Sequence, residues 1–378
     1  MAKTANKGEW SEIYALFKLL GEKRVYAGDG NLNKIEDLFY PILKILREEQ
    51  EGSYEYSLQD DIVVVSEDGY ELLRKNVSEF LDKAAILIKT IRQSKGAFNI
   101  PDIEQFMSEI HCNKIKAKSK DKTDITIVIH DLRTGMTPKL GFSIKSEVGS
   151  DPTLFNAGKT TNFTYAVEGH EFTDEEMAKI NAIDTKKKII DRVAVIHNVG
   201  GKFVFKKIDD IICNNNLVLI DSSMPNILSE ILLEAYQGEN KSIRELTEII
   251  VKRNPLNYNM EYNQKYYEHK IKNFLVASAL GMVPHTPWNG HYEANGGYLV
   301  VKDDGEVLCY HFYDRNLFED YLYNNTKLES PSQSRYKFAE LYREKDSNFY
   351  FKLNLQVRFK SQNIMEYFFK PLKRLSNR

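Results

Sequence analysis

The sequence predicts an α/β fold, a mixed sheet flanked by helices with a large helical portion. Three observations carry this. Between Thr123 and Tyr165 two runs alternate apolar and polar residues with the period of a strand. From about 173 to 281 apolar stripes recur at helical spacing, around a short strand at Lys202–Phe205. Beyond that, 296–313 and 349–359 return to strand patterns.

Taken in order, Trp10, Ile13, Tyr14, Phe17 and Leu20 recur at helical spacing, so a helix over about 9–20 is expected, ended by Gly21. Glu9 and Glu12 lie three apart on one side of it. Acids near a helix N-terminus are favoured by the dipole alone. Tyr40 to Ile45 and Ile62 to Val65 are β-rich, and Pro41 suggests an edge position or a strand start. Helices are expected over about 68–94 and 101–111, the second opened by Pro101 and Asp102.

The central stretch carries chemistry. Ile125, Ile127 and Ile129 alternate with Thr126, Val128 and His130, directly after Asp124. A loop with Gly135 and Pro138 leads to a second run. Leu140, Phe142 and Ile144 face one way in it; Gly141, Ser143, Lys145 and, if the strand continues, Glu147 face the other. An acid therefore opens one strand and a lysine stands on the polar face of the next. After the turn at 149–152, Thr153, Asn156, Lys159, Thr160, Thr161 and Asn162 crowd around Leu154, Phe155 and Phe163. Short hydroxyl and amide groups are suited to phosphates and base edges.

Helices are expected at about 225–236, 242–253 and 264–280, then a hairpin over 296–313 turning at Asp303–Glu306, and a helix at about 314–322. The turn-rich Ser332-Gln333-Ser334-Arg335 follows; arginine in such a setting pairs readily with guanine. Phe349 to Phe359 alternates once more, with Lys352, Asn354, Gln356 and Arg358 on one face.

Composition narrows the function. At 378 residues, 42% hydrophobic and 28% charged, the chain has the make-up of a soluble globular protein. No stretch approaches a membrane span and no signal-peptide core opens the sequence, so a cytoplasmic protein is expected. Cys112, Cys213 and Cys309 are scattered and lack metal-site spacing, which suits reduced thiols. The formal net charge of −2 excludes a uniformly DNA-coating protein but not a local basic cleft. Lys114, Lys116, Lys118, Lys120 and Lys122 run straight into Asp124. Arg335 to Arg378 holds 11 Lys and Arg against 4 Asp and Glu, a net of +7. No Gly-rich loop ends in Lys-Ser/Thr, so no nucleotide cofactor is expected. His285, Asn289 and His291 lack the paired ribbon and helix of a His-Asn-His metal finger, and two histidines do not complete a zinc site.

An Asp before a β-run, followed by a strand ending in acid-x-Lys, is the PD-(D/E)XK nuclease signature, and Asp124 to Lys145 resembles a variant of it. The whole chain resembles the HpaII family of type II restriction endonucleases. The likeness runs from KGEWSEIY near the start, through GFSIKS and the segment from Thr153 to Phe163, to NLQVRF near the end. It implies a restriction-endonuclease-like fold in a single nuclease domain over 1–378. Within it, 1–170 would be a catalytic core with the N-terminal helix and central hairpin. Residues 171–281 would be mainly helical packing, and 282–378 basic strands and loops contacting DNA.

The resemblance also implies Mg2+-dependent hydrolysis of double-stranded DNA at a short sequence of the CCGG type. A homodimer on DNA, a cognate methyltransferase and no membrane partner would accompany it. Asp124 would be a metal ligand, with the main-chain carbonyl of Ile144, and Lys145 would hold the attacking water. The sequence departs from the motif at Ser143, where the pattern has an acid. Glu147 on the strand face, Glu12 on the helix or Asp131 past the first strand would supply it; periodicity favours Glu147 and family analogy Glu12. Gln333, Ser334 and Arg335 join the 153–162 segment as the expected DNA contacts.

Overall fold

The computed structural model describes residues 3–115 and 123–360. Lys116, Lys118, Lys120 and Lys122 of the basic run, and the charged tail past 360, lie outside the described residues. Helix α1 (Lys7–Glu22) starts on a reciprocal cap: Asn6 Oδ1 accepts the Glu9 N–H at 3.0 Å and Glu9 Oε2 accepts the Asn6 N–H at 2.9 Å. Its Trp10, Ile13, Tyr14, Phe17 and Leu20 are all buried, as their spacing requires.

Five strands follow: β1 (Arg24–Gly28), β2 (Lys34–Glu48), β3 (Ser53–Gln59), β4 (Ile62–Glu67) and β5 (Tyr70–Asn76). Here the expected helix over 68–94 needs correcting. Asp68 and Gly69 both take positive φ and turn the chain back into β5, antiparallel to β4. The helix itself, α2 (Val77–Gln93), begins only where Glu79 Oε1 accepts the Asn76 N–H at 3.0 Å. Helix α3 (Pro101–Glu109) carries its proline in the first turn, as expected. Pro41 is at neither an edge nor a strand start. It sits mid-way along the 15-residue β2, at the point where that strand leaves β1 and takes β6 as partner. The Pro41 carbonyl still accepts the His130 N–H at 2.8 Å.

The central hairpin is β6 (Ile125–Ile129) and β7 (Lys139–Ser146), antiparallel, with Ile125 opposite Phe142. Next come β8 (Thr153–Phe155) and β9 (Asn162–Glu168), then α4 (Asp174–Asn181), α5 (Lys188–Asn198), β10 (Lys202–Ile208), α6 (Ile211–Ile220), α7 (Met224–Gln237), α8 (Ile243–Arg253) and α9 (Tyr266–Leu280). The late hairpin is β11 (Gly297–Val301) and β12 (Val307–His311), followed by α10 (Arg315–Asn325), β13 (Thr326–Leu328), α11 (Gln333–Tyr336), β14 (Leu341–Arg343), β15 (Phe349–Asn354) and β16 (Val357–Phe359).

Among the described residues, nine strands form one mixed sheet, ordered β1-β12-β11-β7-β6-β2-β3-β4-β5. Because β1 also pairs with β2, the first six close into a barrel, and β3, β4 and β5 extend from it. The alternation patterns give strands but not this closure, which depends on the length of β2. Its first half serves β1 and its second half serves β6 and β3. The pairs β7–β11 and β1–β12 are parallel.

One apolar cluster joins α1, α2 and α3 to the inner residues of this sheet, including Ile127, Phe142, Leu299 and Cys309. A second fills the space between the opposite sheet face, through Tyr298, Val300, Leu308 and Tyr310, and helices α5 to α10. The alternating run at 349–359 is two strands in two different sheets, β15 beside β9 and β16 beside β8 and β13. The break falls at Leu355, whose N–H is taken by Thr161 and so redirects the chain. No described helix is long and apolar enough to cross a membrane. All three cysteines are free and buried.

Candidate active site

Two chain ends meet at the mouth of the barrel: the start of β6 and the finish of β7. The Asp124 N–H donates to Phe142 O at 2.9 Å, which extends the ladder by one residue and locks the acid beside β7. Its carboxylate Oδ2 then accepts the Ser143 hydroxyl at 2.9 Å and the Ile144 N–H at 2.7 Å. Ser143 is thus a buried donor that orients Asp124. Where the nuclease signature has a second carboxylate, this chain has a group that attracts the first.

Helix α1 closes the third side. Glu9 is engaged in the N-terminal cap, whereas Glu12 stands one turn further on, half-buried and facing the strands. Glu12, Asp124, Ile144 and Lys145 line one cavity of about 970 Å³. Burial pushes the Lys145 ammonium below the usual lysine range, opposed by the charges of Asp124 and Glu12. The helix is anchored here by Ser11, whose hydroxyl donates to Lys7 O and to Ser146 Oγ, both at 2.8 Å.

The other acids lie elsewhere. Glu147 follows the end of β7, where its N–H donates to Val301 O, and it does not line the cavity. Burial raises its carboxyl to about 7, reinforced by Asp303, with Lys302 opposing. Asp131 is buried at the far end of β6, where it accepts the Arg133 N–H at 2.9 Å. The cavity rim also carries cations not singled out as site residues from sequence: Lys7, Lys95 in the turn after α2, and Arg358 of β16, which belongs to the C-terminal region expected to contact DNA. Both Nε (3.1 Å) and one terminal nitrogen of Arg358 donate to Asp151 O. These residues are scattered along the chain and share no local pattern. Only the fold gathers them.

The model of the HpaII restriction endonuclease family matches residues 6–359. The chain is also 45% identical to the type II restriction enzyme HpaII of Haemophilus parainfluenzae over 360 residues, 94% of this chain and 98% of that one. The chain belongs to the HpaII restriction endonuclease family. No solved structure matches it. As a member of this family it is a type II site-specific deoxyribonuclease.

In this HpaII-family enzyme the expected DNA-contact residues divide into two groups. Thr153 lines the same cavity as Asp124, Glu12 and Lys145. Asn156 and Lys159 are exposed and Thr160 is half-exposed, between β8 and β9. Thr161 and Asn162 are interior. The Thr161 hydroxyl donates to Gly158 O at 3.1 Å and to Asn354 Oδ1 at 3.3 Å, and Asn162 donates to Tyr336 O at 3.0 Å. Asn354, expected on an open strand face, is fully buried and donates to Gly158 O and Asn162 Oδ1. Gln333 and Ser334 border a second cavity of about 770 Å³, facing Lys186, Lys187 and Lys188. Arg335 is exposed, its guanidinium 5.4 Å from the Tyr336 ring centroid. Gln333, Ser334 and Arg335 form the one-turn helix α11 where a turn was expected. Among the described residues no group of three His, Cys, Asp or Glu side chains is close enough to bind a metal together. His285 and His291 lie in an exposed loop, where the His291 carbonyl accepts the Trp288 indole N–H at 2.8 Å.

Proposed function

We propose that the enzyme hydrolyses both strands of a short GC-rich palindrome of the CCGG type, using Mg2+ held between β6, β7 and α1. The single observation that carries this reading is the shared cavity of Asp124, Glu12 and Lys145. The donors placed beside Lys145 are oxygens, the carboxylates of Asp124 and Glu12 and the Ile144 carbonyl, with Glu9 and Asp151 also lining the cavity. That set suits Mg2+, which takes one or two carboxylates and fills its remaining positions with water and substrate oxygens. Bound there, the ion would supply an acidified water and neutralise charge building on the phosphate.

The protein's own residues do the rest. Ser143 and the Ile144 amide fix the Asp124 carboxylate, so that its ligand geometry is set before substrate arrives. Glu12 takes the place of the acid missing at Ser143. Lys145 holds the attacking water by hydrogen bonding and stabilises the developing negative charge. Lys7, Lys95 and Arg358 on the rim offer cations to neighbouring phosphates. Asn156, Lys159 and Arg335, which are exposed, and Thr160, which is half-exposed, are placed for backbone and base contacts. We read the sheet as restriction-endonuclease-like, on the antiparallel β6–β7 pair with β11 parallel to β7. The enzyme is further taken to be cytoplasmic, to act as a homodimer matched to the two-fold symmetry of its target, and to be paired with a protecting methyltransferase.

The test is digestion of mixed plasmid DNA with and without Mg2+, for the wild type and for Asp124→Ala and Lys145→Ala. Discrete fragments are expected only from the wild type with Mg2+, with each variant at least ~10²-fold slower. Near-wild-type cutting by either variant overturns the site. Nicks set by DNA structure rather than sequence, or DNA left intact throughout, overturn the assignment of specific cleavage. Sequencing the fragment ends reads the target.

A further inference from the structure

Lys145 stands over an aromatic ring. Its Nζ lies 5.1 Å from the ring centroid of Tyr298, on the neighbouring strand β11. The parallel register explains the meeting. Tyr298 is opposite Ser143 and Val300 is opposite Lys145, so the tyrosine and the lysine are diagonal neighbours on one sheet face.

The ring itself is held from several sides. The Tyr298 hydroxyl donates to Ala279 O in α9 at 3.2 Å. Phe318 of α10 packs edge-on to it at 5.4 Å, and Phe359 lies tilted at 6.3 Å. Tyr298 is 1% exposed. Apart from the bond to Ala279 O, a core position of this kind needs apolar volume, which a leucine would largely supply. What a leucine would lack is a negative π-face beneath a desolvated ammonium. Two carboxylates from other elements, Asp124 and Glu12, attract the same ammonium. Coulomb attraction alone fixes no direction for a flexible four-carbon stem, whereas a ring face fixed in the core does.

We infer that Tyr298 is a positioning residue for the cleavage reaction, its ring face setting where the Lys145 ammonium stands relative to Asp124 and Glu12. The inference rests on the proposed role of Lys145. It separates two functions within one side chain: the hydroxyl serves packing through Ala279, and the ring serves the reaction through Lys145.

The experiment is steady-state cleavage of a short cognate duplex by Tyr298→Leu and Tyr298→Phe, with thermal melting of each protein. For Leu, kcat is expected to fall about 10-fold with KM within about twofold, since an ammonium over a desolvated ring accounts for an effect of that size. Phe keeps the ring and loses the hydroxyl, so it should restore kcat to within about twofold of wild type while melting lower. A purely structural role predicts the opposite pattern, in which rate follows melting temperature across the variants. Where Leu fails to fold, Tyr298→Met fills the same space without a ring and is expected to show the same loss of kcat. Wild-type kcat in the ringless variant, or equal loss in Phe and Leu, overturns the inference. Lys145→Ala in the same assay separates this from failure of the site. If it still turns over, the active-site assignment falls; if it is dead while Tyr298→Leu cuts normally, only the role of the ring falls.

Discussion

Asp124 to Lys145 and Thr153 to Asn162 are neighbouring stretches, each setting polar side chains into a strand pattern. In the first, Asp124 and Lys145 open onto a cavity, and the buried polar group between them, Ser143, turns inward to hold Asp124. In the second, Thr161 and Asn162 bond to Gly158, Asn354 and Tyr336, while the polar side chains of Thr153, Asn156, Lys159 and Thr160 stay at least partly exposed. The difference lies in neighbours distant in sequence. The first stretch ends against α1 and the cavity. The second has β15 beside it, which brings Asn354 into the interior and needs partners for its amide. Polar density alone does not separate a contact surface from a satisfied interior network.

The largest effects expected from this contrast concern which acid completes the site. Glu12→Gln should lower kcat by at least ~10²-fold, with partial recovery in Mn2+, which accepts a poorer ligand set than Mg2+. Glu147→Gln should cut within a few-fold of wild type, because Glu147 lies outside the cavity. A normal Glu12→Gln together with a dead Glu147→Gln would reverse the assignment.

Glu147 should show itself in stability instead. Its folded carboxyl is raised to about 7, above the ordinary 4.5, so between those values the native state keeps a proton that the unfolded chain has released. Stability therefore falls as pH rises from about 4.5 to 7, by about 2–3 kcal/mol from this group. Denaturant titrations across that window should find the fall reduced in Glu147→Gln. Equal slopes in both proteins would show that the carboxyl is not desolvated.

A further pair of measurements tests the second stretch. Asn354→Leu strands the partners of a buried amide and should cost about 1–3 kcal/mol of stability while leaving the salt dependence of DNA binding unchanged. Lys159→Ala should do the reverse, with stability unaltered and the slope of log affinity against log salt flatter by about one unit. If Asn354→Leu changes the salt slope and Lys159→Ala does not, the division between interior and surface is drawn in the wrong place.

Much of the candidate site was legible because its signals are local. Period-two alternation places Asp124 and Lys145 on paired strands, and a 3.6-residue period places Glu12 on the flank of a buried helix. The rest depended on contacts that no window contains. Strand alternation favoured Glu147, yet β7 ends at Ser146 and Glu147, its N–H still bonded to Val301 O of β11, stands beyond the cavity. The alternating run at 349–359 read as one face because nothing local marks Leu355 as the point where the chain changes sheets. The β5 residues read as helix because Leu72, Leu73 and their flanking charges fit either period. Closure of the barrel followed from the unusual length of β2, with Pro41 at its change of partner. Nothing local to Lys7, Lys95, Arg358 or Tyr298 marks any of them as a neighbour of Asp124, Glu12 or Lys145.

The parallel seam between β7 and β11 has a consequence for how the enzyme comes into being. Lys145 has its neighbouring strand only once Tyr298 and Val300 exist, and about 150 residues of chain lie between the two strands. During synthesis at about 5–20 residues per second, the ribosome needs about 8–30 s to cover that interval. Throughout it, the Asp124 strand, the Lys145 strand and the Glu12 helix are already made but lack the wall that completes the barrel. A pairing between such distant segments forms late and slowly. The wall beside Lys145 therefore cannot form until translation has passed Val301.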